Sequence, residues 1–328
     1  MTVRSPKNRR RMFRLLRAIV YSSIALFLCW QVWHVRHGLA ASISSVGWTA
    51  VGFATGFTVI ANFPGFFGWR LLVTGAGVRL TLSDAAWLFF AAAVTRYLPG
   101  AIWPTVAQAA LARRVGAPAT KLMATGLVAV VLTALSGGIV GLLAFPRLVA
   151  DDPKWWLMLP VLLSAGAVML APRLLRRLLG LGQRILRHEE HGIAMPSPRT
   201  SMGMIAFSIL GWCCSGMHAA IIAMALGAPP ISAITLGVGG FTLSAVAGAV
   251  SLTPAGIGVR EVVLGLTLGI LISGPNLVTL LLLSRVLTIL GHVIATLGVL
   301  GLLAGNRHMK RRRDKEKWGY SIGAPNER

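Results

Sequence analysis

Residues 253–261 read Thr-Pro-Ala-Gly-Ile-Gly-Val-Arg-Glu, and they end a stretch, Gly203 to Val259, that holds no Lys, Arg, Asp or Glu. Arg260 and Glu261 then arrive together behind a proline and two glycines. A guanidinium offers a planar fork of donors that suits bidentate binding of a phosphate. A second fragment, Arg96-Tyr-Leu-Pro-Gly100, repeats the combination of arginine and breaker in another apolar run. Ionisable groups at membrane depth are functional-site candidates by default. Helix-breaking backbone is tolerated there only against protein or a water-filled cavity. Arg96 and Arg260, the turn residues Pro99, Gly100, Pro254, Gly256 and Gly258, and Glu261 are therefore candidates for holding an anionic group. Arg285, in the last long apolar run, is a further candidate. Glu261 and Asp84 are the carboxylates available to pair these arginines or to carry a proton. The competing reading is structural: Arg96, Arg260 and Glu261 as ion pairs that hold the breaks, and Asp84 as a helix cap after Ser83.

The elements that must position these residues are membrane helices. The 328 residues are 55% hydrophobic and 12% charged, with mean hydropathy +0.72. A soluble domain carries about twice that share of charge, so lipid is the solvent. Full spans are expected at 18–37, 46–73, 119–146, 155–174, 203–227 and 277–303, each near the ~20 residues that cross a bilayer. Two further apolar segments, 83–111 and 232–273, are broken near the middle by Pro99-Gly100 and by Pro254-Ala255-Gly256. Each is two short spans or a re-entrant hairpin. The expected fold is thus all-α and polytopic, with six spans and two Pro/Gly-broken hairpins. The tryptophans near span ends, Trp48, Trp69 and Trp156 among them, read as interfacial anchors.

The net charge of +23 would suggest nucleic acid in a soluble protein. Its placement argues otherwise. With the N-terminus cytoplasmic and both broken segments re-entrant, 26 of the 32 basic residues fall on the cytoplasmic side. Only Arg36, Arg147 and Lys154 lie outside, and Arg96, Arg260 and Arg285 lie within the membrane. That asymmetry is the positive-inside rule. The chain divides into a basic cytoplasmic N-terminus (1–17), one membrane domain (18–303) and a basic cytoplasmic tail (304–328). Within the domain, 173–200 reads as an amphipathic cytoplasmic linker on anionic lipid. It separates two stretches of like order, 46–146 and 203–303, each a span, a broken segment, a further proline and a long span. An odd number of spans between their starts makes them inverted repeats, and paired broken segments in inverted repeats point to a midplane site.

The fragments Arg96-Tyr-Leu-Pro-Gly100 and Pro254-Ala-Gly-Ile-Gly-Val-Arg-Glu261, about 155 residues apart, resemble the paired signatures of the flippase-like membrane domain of lysyl-phosphatidylglycerol synthases. The resemblance runs from about 15 to 305, and Arg285 matches a position where the family tends to carry arginine. Where the family usually has Pro-Gly-Gly, this chain has Pro254-Ala255-Gly256. The resemblance implies lipid translocation. The chain carries no counterpart of the family's soluble aminoacyl-transferase domain, so synthesis of aminoacylated lipid is not implied.

The leading expectation is a flippase or scramblase in the cytoplasmic membrane for a phospholipid or polyprenyl-phosphate-linked sugar. No Walker motif is present, and no cofactor or metal is expected. Membrane lipids are the expected partners, nucleic acid is not, and a homo-oligomer or a partner synthase is possible. A membrane transferase is the enzyme alternative, short of a paired acidic motif. A non-catalytic partner of a separate synthase or glycosyltransferase is the third class. His218 and His292 read as packing histidines, while Asn62 and Gln108 either line a cavity or bond helix to helix.

Overall fold

The computed structural model describes residues 44–98, 100–157, 197–251 and 253–322, with side chains as far as 306 and without that of Pro254. The expected span 18–37, most of the span 155–174, most of the linker 173–200, and Pro99 lie outside the described residues.

Among the described residues the chain is helical throughout, with no strand. The first half holds α1 (Trp48–Ile60), α2 (Asn62–Gly75), α3 (Leu82–Ala93), α4 (Trp103–Leu111), α5 (Ala119–Gly141) and the short α6 (Phe145–Asp151). The second half holds α7 (Pro198–Ala225), α8 (Pro230–Val250), α9 (Val259–Leu268) and α10 (Gly274–Ile322). Their starts are written locally. Thr81 caps α3, Ser197 caps α7 through the Thr200 N–H, and Pro198 and Pro230 stand at first helical positions, where a missing N–H costs nothing.

Among the described residues five segments are long and apolar enough to cross a membrane: Trp48–Gly75, Ala119–Asp151, Pro198–Ala225, Pro230–Val250 and Gly274–Asn306. Four of them meet expected spans. The fifth, α8, is the first leg of a segment expected to break at its middle. Its 21 residues suffice for a crossing, whereas its counterpart α3 has 12. The two broken segments therefore have the expected order but unequal legs. The expected boundary at 304 between membrane domain and tail is not a helix end, since α10 continues to Ile322.

Two apolar clusters carry the packing. One joins residues of α7 to α10, such as Ile222, Leu236, Phe241, Leu268 and Leu283. The other joins α2 to α5, with Phe66, Leu72, Leu88, Phe90 and Leu122. The central α7 packs on α1, α2, α5 and α8. Close approach rests on small residues: a Cβ at Gly216 would meet the Val238 backbone at 2.5 Å, and one at Gly237 the Ala220 nitrogen at 2.6 Å. Such contacts replace the hydrophobic effect as the glue between helices in lipid. The outer faces remain apolar, as Trp48, Phe53, Val250, Leu297 and Leu302 show by their exposure.

Candidate functional site

Both breaks are short 3-10 turns followed by residues that glycine alone adopts readily. After α3 the chain tightens into Val94–Tyr97, Leu98 turns extended, and Gly100 has φ 89°. After α8, Ser251 turns extended, Pro254–Gly256 forms a 3-10 turn, and Gly256 and Gly258 have φ 72° and 81°. The two turns touch each other. Around them lies a cavity of about 440 Å³ lined from both halves, with Arg96, Gly100, Gly256, Arg260 and Arg285 in its wall. The expected convergence of the two arginine-bearing breaks is therefore present.

The three arginines differ in employment. Arg96 holds its own turn: Nε donates to the Ala93 carbonyl at 3.1 Å and Nη1 to Asn62 Oδ1 at 3.3 Å. Asn62 is fixed in turn by Nδ2 donating to the Thr58 carbonyl at 2.9 Å. Arg285, 8% exposed, donates from Nη1 to the Ala255 carbonyl at 3.1 Å and lies 3.5 Å from Glu261 Oε1. Its Nε and Nη2 have no hydrogen-bond partner among the described residues. Arg260 is partly buried and makes neither hydrogen bond nor ion pair with any described residue.

Arg260 is nonetheless held. Its Cζ sits 5.2 Å from the centroid of Phe241, in cation–π geometry. Its stem lies against two glycines: a Cβ on Gly248 would come within 2.5 Å of Arg260 Cγ, and one on Gly256 within 3.0 Å of the same atom. Phe241 is braced edge-on by the buried His218, 4.7 Å between centroids at 88°. His218 Nδ1–H donates to the Ser215 carbonyl, so Nε2 accepts from Ser284 Oγ at 2.9 Å. The chain thus presents a guanidinium whose aliphatic part is clamped and whose donors are open to the cavity.

The carboxylates occupy other posts. Glu261 Oε2 accepts from the Gly258 N–H at 2.8 Å, capping α9, while Oε1 faces Arg285. The expected pairing of Glu261 with Arg260 is replaced by this one, because the carboxylate must turn back to reach the start of its own helix. Asp84 sits in the first turn of α3. It receives the Thr81 hydroxyl at 2.7 Å and donates its own N–H to Thr81 Oγ1 at 3.1 Å. Thr81, not Asp84, is the N-cap, and Asp84 pairs none of the three arginines. The described lining of the cavity holds three arginines and no carboxylate.

Other expectations sort as follows. Asn62 and Gln108 both line the cavity. His218 is a packing histidine, whereas His292 lines the cavity and meets the Tyr97 hydroxyl at 3.1 Å from Nδ1. Trp48 and Trp156 are exposed, as anchors are, but Trp69 is 3% exposed and lines the cavity. Phe241 and Gly248 gave no signal within a uniformly apolar helix.

No curated protein matches the chain. The family model of the lysylphosphatidylglycerol synthase TM region matches residues 15–296, most of the sequence and both breaks. With span-length helices and an apolar exterior besides, the chain is a multi-pass membrane protein and belongs to the lysylphosphatidylglycerol synthase TM region family.

Proposed function

We propose that the protein translocates a lipid with an anionic headgroup across the cytoplasmic membrane, the headgroup passing through the cavity between the two halves while the tails stay in lipid. The observation that carries this is Arg260, clamped by Gly248, Gly256 and Phe241 yet with no ion pair to any described residue. A charge so placed in a membrane protein is expensive unless a ligand meets it. A phosphate fits the open fork, and the unpaired Nε and Nη2 of Arg285 offer further donors. The recurrence of long helix, broken pair and long helix in both halves supports an inverted repeat with the breaks as re-entrant legs. The α3, α4 and α9 helices, at 12, 9 and 10 residues, fall well short of the ~20 needed to span. In this reading the termini are cytoplasmic, no chemistry is done on the lipid, and transport is downhill or ion-coupled.

The test is a proteoliposome assay in which dithionite bleaches fluorescent phosphatidylglycerol only in the outer leaflet. Wild-type protein should render the inner-leaflet pool bleachable. Arg260→Ala should abolish that while remaining folded by size-exclusion and thermal unfolding. A wild-type rate from Arg260→Ala would remove the role assigned to it.

A further inference from the structure

The cavity carries a second set of unused groups, and they are neutral. Gln108 on α4 is 4% exposed and lines the cavity, and its amide oxygen Oε1 is buried with no hydrogen-bond partner among the described residues. Trp69 on α2 lines the same cavity, and its Nε1–H has no acceptor among the described residues. Buried polar groups are rarely left so, since an unmade bond leaves the cost of desolvating the group without compensation. Both come from the first half, whereas Arg260 and Arg285 come from the second. The cavity wall therefore brings the guanidinia of Arg260 and Arg285 from one half together with Arg96, an unpaired amide oxygen and an unpaired indole N–H from the other.

This pairing selects the group beyond the phosphate. A hydroxyl both donates and accepts, so it answers an amide oxygen that accepts and an indole that donates. An ammonium only donates. Of these two groups it could use the Gln108 oxygen alone, in a cavity whose described lining has three arginines and no carboxylate. The nearby Glu261 is taken up by Arg285 and the Gly258 N–H. Like charges brought together in a desolvated site cost several kcal/mol, and that repulsion gives specificity.

We propose that the cavity takes a phosphodiester whose distal part is uncharged and hydroxylated, as in a glycerol, inositol or sugar headgroup, and discriminates against a distal ammonium. The occupant being a lipid in transit rests on the translocation reading; the preference among headgroups does not.

The experiment compares acyl-labelled phosphatidylglycerol, phosphatidylethanolamine and lysyl-phosphatidylglycerol in the same proteoliposomes, with a polyprenyl-phosphoryl-hexose arm to tell a glycerophospholipid source from a polyprenyl one. Phosphatidylglycerol or the hexose lipid should move at least about tenfold faster than either ammonium-bearing lipid. Gln108→Leu should cut that ratio by lowering the favoured rate, and should slow phosphatidic acid, which lacks the distal group, by a smaller factor. Gln108→Glu should raise the ethanolamine lipid relative to the glycerol lipid. Equal rates in the wild type, or faster movement of an ammonium lipid, overturn the proposal. Should no lipid move, native mass spectrometry of the detergent-purified protein reads retention directly. Retained phosphatidylglycerol over phosphatidylethanolamine then upholds the headgroup preference and discards translocation, and retention without preference discards the preference.

Discussion

The two broken segments share an order of elements and differ in what their arginines do. In the first, Arg96 spends its donors on the Ala93 carbonyl and on Asn62, so the break is locked by its own charge. In the second, the lock is supplied by others: Arg285 grips the Ala255 carbonyl and Glu261 caps α9. That frees Arg260, which rests on Phe241 between Gly248 and Gly256. A like turn with a like arginine thus becomes a brace in one half and a presented donor in the other. Identity of residue type does not fix role; what else is available to satisfy the backbone does.

Substitutions probe that contrast. The largest effect is expected at Arg260, where even Lys should slow translocation about 10- to 100-fold, because a point charge cannot replace the fork held over Phe241. Next comes Arg96→Ala, expected to cost about 1–3 kcal/mol of stability through its lost hydrogen bonds. It should be read by thermal unfolding in detergent, with Asn62→Ala reproducing part of the loss. A rate loss as large as Arg260→Ala, with unfolding unchanged, would erase the distinction between brace and donor. Phe241→Leu keeps an apolar floor but removes the ring, and should weaken lipid handling about fivefold, the worth of a partly buried cation–π contact. The smallest effect is expected at Ala255, which is left-handed at φ 52°. Ala255→Gly should raise stability by about 0.5–1 kcal/mol by relieving that conformation; a lower unfolding temperature would show that the alanine methyl contributes packing instead.

The sequence made the architecture legible because lipid imposes its rules on composition. Apolar length and breaker position are one-dimensional signals, and they gave the four expected spans that fall among the described residues, the two breaks and the arginines. Employment of a charge is three-dimensional. Glu261 follows Arg260 in sequence, yet one helical position turns its carboxylate back to Gly258 and across to Arg285. Asp84 looked available because it is a carboxylate beside an apolar run, but Thr81 three residues earlier is a complete cap. Trp69 looked like an interfacial anchor by position alone, and the aromatic packing of Phe66 and Phe89 around it is invisible until α2 and α3 are folded together. Phe241 and Gly248 sit in a helix where nearly every residue is apolar or small, so nothing in the pattern separates floor from filler.

The last helix carries a mechanical consequence. α10 runs from Gly274 to Ile322 without interruption, and the stretch from Arg285 to Asn306 measures about 30 Å along its axis, close to the thickness of a bilayer's hydrocarbon core. No flexible joint separates the arginine that grips Ala255 from the far end of the rod, where the sequence turns basic at Arg307. A tilt or roll of that end would therefore be carried along an unbroken helix to the hydrogen bond between Arg285 and the Ala255 carbonyl.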